Sequence, residues 1–391
     1  MDEILLYRRP MGTWGTRNHV LVLPLVASAS GVARAIARGT GAAWVEHDYE
    51  PAPDELPENR ERVARTLTGF ATNPNVAAVL LVADTPDHGV LMDPIRAAGQ
   101  RVDLVVVAEA GGVRRAIAQG RERLEALCAF ASRCVREKAP VGELILGTEC
   151  GGSDALSGIT ANPALGVASD LLVDAGGTVI LAETTELIGA EHLLARRAAT
   201  PEVARDIYRI IHRYEAVVLA HGEDIRGANP APGNIEGGLT TIEEKSLGAA
   251  KKGGTRPIRQ VVEYAVRPTA RGLVIMDTPG NDIEQMVGMA AGGAQVAVFT
   301  TGRGTPTGSP ILPVIKVATN SATAQRMQDN IDLDAGRILE GEETLESMGQ
   351  KIYETILAVA QGALTKAELL GHREFAVSRY PFAVLDRASA R

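Results

Sequence analysis

ELILGTECGGSDALSGITANPALG, residues 143–166, decides how this chain is read. The apolar run ELILG is short enough and bounded sharply enough to be a buried strand. Cys150 sits where that strand gives way to a loop, and Gly151 and Gly152 allow a tight reversal. Ser153 and Asp154 then project from the turn. A strand ending in small and polar groups is the start of a βα unit whose loop carries chemistry.

The same rhythm extends in both directions. Toward the N-terminus, His19 to Val26, Ala42 to Glu46, Val76 to Ala83 and Val102 to Ala108 are strand-like, with helix-like segments such as Val32 to Ala37 and Arg60 to Phe70 between them. After Ala139-Pro140 the composition shifts toward Gly, Thr and Asn, and polar, glycine-rich loops follow ELILG, TVILA, VVLA, GLVIM and AVFTT. The expected fold class is α/β, with parallel-sheet βα units in two domains: an N-terminal α/β domain over 1–140 and a C-terminal α/β catalytic domain over 141–391. In open parallel sheets ligands bind beyond the carboxyl ends of the strands, so the chemistry is expected in the second half.

Composition narrows the partners. The 391 residues are 45% hydrophobic and 23% charged, with a formal net charge of −8. Without a clustered Lys/Arg surface, nucleic acid is not an expected partner. No apolar stretch approaches the roughly 18 residues of a membrane span, and no cleavable leader is evident, so a cytoplasmic protein is expected. Cys128, Cys134 and Cys150 show neither a CxxC pair nor regular spacing, which argues against a disulfide framework or a thiolate zinc site. No GxxxxGK[ST], HExxH, GxSxG or properly placed GxGxxG occurs.

The loops hold the candidate chemistry. Asp154 can accept a proton, hold a metal, or cap a helix beginning near Ala155. Cys150 reads as a ligand or as a small buried filler. In TVILAETTELIGAEHLLARRA, residues 178–198, Glu183 and Glu186 follow a strand directly, and Glu191 and His192 open the next helix. Like charges gathered in this way need a metal or a proton to coexist, although a helix start also favours Glu. NPAPGNIEGGLTTIEEKSLG, residues 229–248, frames Asn229 and Asn234, then forms a T-x-x-E capping box from Thr241 to Glu244. Lys245 is there either a salt-bridged lysine or a base. MDTPGND, residues 276–282, supplies Asp277, Asn281 and Asp282. FTTGRGTPTG, residues 299–308, presents Arg303 between glycines, as a carboxylate clamp would require. Lys316 lies on the following run, PVIKVATN.

Together these motifs resemble the altronate and galactarate dehydratases, the UxaA family. The resemblance rests on ECGGSDALSGITANPALG, GGTVILAETTELIGAEHLL, NPAPGN with GGLTTIEEKSLG and KKGG, DTPGND, and TTGRGTP with KVATN. It runs from about residue 142 to 340, and more faintly from YRRPMGTWGTRNHVLVLP to GHREF. It implies a cytoplasmic lyase that removes water from a sugar acid to give a 2-keto-3-deoxy acid, working with a divalent metal: Fe2+, or alternatively Mn2+ or Mg2+. Mapped onto the matching positions, the acid–base candidates are Asp154, Glu183, Glu186 and Lys245. Ser153, Asn162, Asn229 and Asn234, with Asn281, Arg303, Thr305 and Lys316, are candidates for binding the hydroxy-acid substrate. Cys150, Asp277 and Asp282 are candidate metal ligands.

Two departures bear on the expectation. The family usually carries a SAF-like module before the YRR segment, which here begins at Tyr7; a separate small SAF-like subunit is therefore an expected partner, alongside homo-oligomerisation. The family also tends to carry cysteines in its N-terminal half, where this chain reads PLVASAS, HDYEPAP and LVADTPD. Two further readings stand beside the dehydratase: the large subunit of a sulfolactate sulfo-lyase, which expels sulfite, and a non-catalytic sugar-acid-binding protein.

Overall fold

A computed structural model describes residues 3–379. Among them no helix is long and apolar enough to cross a membrane. The second half is built on a seven-stranded sheet in the order Ile258–Val262, Gly272–Met276, Thr178–Leu181, Ile145–Cys150, Val296–Thr301, Val314–Ala318, Leu333–Asp334. Every pairing in it is parallel. The strand that ends in Cys150 is central: the chain leaves it toward Thr178–Leu181 on one flank and returns much later to Val296–Thr301 on the other. That reversal of direction makes a crevice at the carboxyl ends of the middle strands.

The first half carries a four-stranded parallel sheet in the order Ala43–Trp44, His19–Pro24, Val76–Ala83, Arg101–Val106. All eight residues of Val76–Ala83 are buried, as a continuous apolar run sandwiched between helices requires. The α/β class with parallel βα units is thus observed, and the helix-like segments fall inside the helices Ser30–Ala37 and Pro57–Ala71. A third sheet was not expected. Glu3–Arg8 pairs antiparallel with Trp14–Gly15 on one side and with Arg136–Pro140 on the other. Arg136–Pro140 lies about 130 residues further along the chain, so no local pattern announces that pairing.

Two expectations are corrected. VVLA, residues 217–220, is not a strand but the end of the helix Pro201–Ala220, which continues the 3.6-residue period of the residues before it. No helix begins near Ala155. Residues 155–160 form turns, and the helix starts only at Ala161.

The halves are stitched together where this matters for the crevice. Helix Pro57–Ala71 lies so close to helix Asp282–Ala291 that a Cβ on Gly69 would stand 2.4 Å from the Ala291 carbonyl oxygen. Asn73 donates to the carbonyls of Ala290 and Ala294 at 2.7 and 2.8 Å, and Asn75 donates to those of Gln295 and Ile311. Buried amides satisfied in this way fix the two halves in one register. The N-terminal half therefore seats the helix whose first residue, Asp282, faces the crevice.

Candidate active site

A cavity of about 540 Å³ opens at the carboxyl ends of the central strands. Cys150 to Ser153, Thr185, Glu186, Asn229, Asn234, Lys245, Asn281 and Asp282 line it. Five of the expected loops or helix starts thus converge. The loop after Cys150 fits because Gly151 has no side chain: a Cβ there would stand 2.3 Å from the Asp282 carboxylate and 2.7 Å from the Phe299 ring.

Two carboxylates face this space in different electrostatic settings. Glu186 is buried and paired with the Lys245 ammonium at 3.0 Å, and its Oε2 has no hydrogen-bond partner. Lys245 also donates to the side-chain oxygens of Asn229 and Asn234 at 2.9 and 3.1 Å, so three acceptors surround its three protons. Asn234 in turn donates to the Ser153 carbonyl at 2.9 Å, tying this amide to the loop after Cys150. Asp282 has no comparable partner. Burial, followed by the neighbouring charge of Glu186, pushes its carboxyl up to about 6. A lysine-paired carboxylate beside one whose carboxyl is raised is an arrangement that can divide base from acid.

Beneath the floor lies a second charged layer. Lys252, fully buried, brings its Nζ to 2.8 Å from Cys150 Sγ and forms an ion pair with Glu183. Glu183 adopts a left-handed backbone, φ 71°, uncommon for a non-glycine residue, and its Oε1 stands 3.4 Å from the Cys150 sulfur. Glu149, one residue before Cys150, is completely buried with both carboxyl oxygens unpartnered. Burial, then the field of Asp282, raises its carboxyl well above the usual range and favours the neutral acid. Neither Glu149 nor Lys252 was among the candidates. A Glu inside an otherwise apolar buried strand was the available signal for the first, and the KKGG turn for the second.

Other candidates have structural work elsewhere. Asp154 is buried under the loops and does not line the cavity: its Oδ2 accepts from Thr319 and Asn320 at 2.8 and 3.2 Å, and Oδ1 from Ser157 at 2.9 Å. Its carboxylate is committed to pinning its own turn to the segment at Thr319 and Asn320. Asn162 donates to the Gly248 carbonyl and accepts from Thr300 inside the protein. Thr305 donates to Thr307 within its own loop. Lys316 is wholly buried and donates to the Pro306 carbonyl at 3.0 Å, with burial pushing its ammonium down to about 8. It supports that loop instead of gripping a ligand carboxylate. Arg303 is exposed and packs against Gly233, where a Cβ would stand 1.5 Å from its Nη1. Asn281 lines the cavity and also caps its helix, accepting from the amides of Ile283 and Glu284.

The expected metal set of Cys150, Asp277 and Asp282 is not assembled. Asp277 turns away to Arg213 and to Thr184, which donates to it at 2.6 Å. Among the described residues, no three His, Cys, Asp or Glu side chains are grouped to hold a metal ion. The donors that do approach one another, Cys150 and Glu183, are already bridged by the Lys252 ammonium. This donor set does not fit a divalent centre, because a cation of the protein's own satisfies it.

Residues 141–381 match the family described as D-galactarate/Altronate dehydratase, C-terminal, and residues 6–132 match D-galactarate dehydratase/Altronate hydrolase, second domain. The chain is 39% identical over 377 residues to the (2R)-sulfolactate sulfo-lyase subunit beta of Chromohalobacter salexigens, covering 95% of this chain and 96% of that one. It is 34% identical over 384 residues to the altronate dehydratase of Bacillus subtilis, covering 95% of this chain and 76% of the relative. A galactarate dehydratase (L-threo-forming) of Escherichia coli is 48% identical over 227 residues, 58% of this chain and 43% of the relative.

Proposed function

The chain belongs to the D-galactarate/altronate dehydratase family, and from that premise we propose that it is a lyase that eliminates water from a sugar acid such as galactarate or altronate. The observation that carries this reading is the pairing of Glu186 with Lys245 beside Asp282, whose carboxyl is raised to about 6, on one cavity wall.

Elimination needs a base for the hydrogen on carbon 2 and an acid for the hydroxyl on carbon 3. The unpartnered Oε2 of Glu186 takes the proton, and the C–H electron pair becomes the carbon–carbon double bond. The C–O bond breaks with its electron pair staying on oxygen, and Asp282 supplies the proton that makes water. The resulting enol tautomerises to the 2-keto-3-deoxy acid. Lys245 holds the Glu186 carboxylate in place through its other oxygen, and the side chains of Ser153, Asn229, Asn234 and Asn281 offer hydrogen bonds to a polyhydroxy chain. Arg303 is the exposed cation for the substrate carboxylate at the Gly233 side.

A second reading, release of sulfite from sulfolactate, is favoured by the match along nearly the whole length of the sulfo-lyase subunit. Sulfite departs as a stable anion and needs no proton, so that chemistry depends less on Asp282. The name of that relative as a beta subunit supports testing a small partner subunit too. The deciding assay incubates the chain, with and without such a subunit and with and without Fe2+, Mn2+ or Mg2+, with aldaric and aldonic acids and with sulfolactate. Keto acid without sulfite establishes the dehydratase; sulfite establishes the second reading; binding without turnover of any substrate overturns both.

A further inference from the structure

We infer that Lys252 is a positioning residue that serves as the resident cation of the pocket floor: its ammonium occupies the place between Cys150 and Glu183 that a divalent ion would otherwise take. The inference rests on this cavity being the active site, but its test uses no substrate.

The backbone is built to deliver that side chain. Lys252 lies in the short turn Lys251–Gly253, pressed onto helix Ala161–Asp174. The contact is close enough that a Cβ on Gly166 would stand 2.2 Å from the Lys251 carbonyl oxygen. Ser169 donates to the Lys252 carbonyl at 2.7 Å and fixes the direction from which the side chain enters. A lysine is seldom fully buried unless its charge is matched. Here Cys150 Sγ, at 2.8 Å, and the Glu183 carboxylate match it.

The Glu183 end is also arranged for this purpose. Its left-handed backbone is held by Thr278, whose hydroxyl oxygen accepts the Glu183 amide proton at 2.7 Å. Strain of this kind persists only where the surroundings over-determine it. A divalent ion added to the same cluster would meet the ammonium at close range and be repelled. With the ammonium removed, Cys150 and Glu183, whose sulfur and Oε1 stand 3.4 Å apart, would lose their shared cation. A thiolate and a carboxylate, with water completing the shell, can bind cobalt or zinc.

The test is Co2+ titration of the full chain, followed through the cobalt–thiolate charge-transfer band. Wild type and Lys252→Arg are expected to show no band. Lys252→Ala is expected to gain one at a stoichiometry of one cobalt per chain, and Lys252→Ala combined with Cys150→Ser is expected to lose it. A band in wild type that disappears in Cys150→Ser overturns the inference. So does a Lys252→Ala protein with native circular dichroism and no band. If Lys252→Ala does not fold, Lys252→Ser replaces it, and the wild-type titration still decides. Failure of the proposed reaction is read separately, as absence of keto acid and sulfite.

Discussion

Lys245 reaches the Glu186 carboxylate at 3.0 Å while leaving its other oxygen, Oε2, buried and unpartnered. A buried acceptor without a partner costs about 1–3 kcal/mol, so its retention on a cavity wall marks a group that finds its partner in a ligand. Glu186→Gln is therefore expected to lower kcat by roughly 10²–10⁴-fold, the range of a missing general base, with little change in substrate affinity. Lys245→Met is expected to lower kcat, because Glu186 loses the ammonium that fixes its carboxylate and is left buried with both oxygens short of partners. Steady-state kinetics across pH checks both.

Asp282 sets the alkaline side. As a proton donor with a carboxyl pushed up to about 6, it is expected to make kcat/KM fall about tenfold per unit as pH rises beyond that value. Asp282→Asn is expected to remove that limb together with most of the dehydration. The same raised value costs stability. The unfolded carboxyl releases its proton near the ordinary value of 3.8, before the folded one does, so stability is lost as pH rises from there through about 6. Above pH 6, Asp282→Asn is expected to be more stable than wild type, on the order of 1–3 kcal/mol, as read by thermal melts at pH 5 and pH 8.

Asp154 predicts the opposite pattern. Its partners are Ser157 in its own turn and the consecutive residues Thr319 and Asn320 in the segment after the strand Val314–Ala318. Asp154→Ala leaves them facing a buried gap and is expected to cost about 2–4 kcal/mol in chemical denaturation. Residual kcat of the folded fraction is expected to exceed that of Glu186→Gln.

Gly233 and Gly166 separate a movable obstacle from an immovable one. A methyl on Gly233 meets the end of the flexible Arg303 side chain, whereas on Gly166 it meets the Lys251 backbone at 2.2 Å. Gly233→Ala is expected to keep its melting temperature and raise KM several-fold by displacing the guanidinium. Gly166→Ala is expected to destabilise by roughly 2 kcal/mol or more, since backbone cannot rotate away.

Much of this protein follows from short-range pattern. Val76–Ala83 is a strand because continuous aliphatic residues fill a sheet covered on both faces, and the run ending at Cys150 starts in the same way at Ile145 and Leu146. Thr241 caps its helix by accepting from the Glu244 amide, as T-x-x-E implies. Parallel strands place their following loops on one edge, so the location of the cavity, and of Glu186, Lys245, Asn229, Asn234 and Asn281 around it, was also legible. Tertiary structure alone decided which polar groups in those loops face the cavity and which hold the loops together. Asp154 and Asn162 carry the same residue types as the cavity wall, but partners from segments distant in the chain consume their hydrogen-bonding capacity, while Thr305 and Lys316 are turned to the loop at Pro306 and Thr307. Glu149 and Lys252 show the converse. A buried-strand position and the KKGG turn mark them in the sequence, but only packing sets them under the floor at Cys150, where the scarcity of water gives each charge its weight.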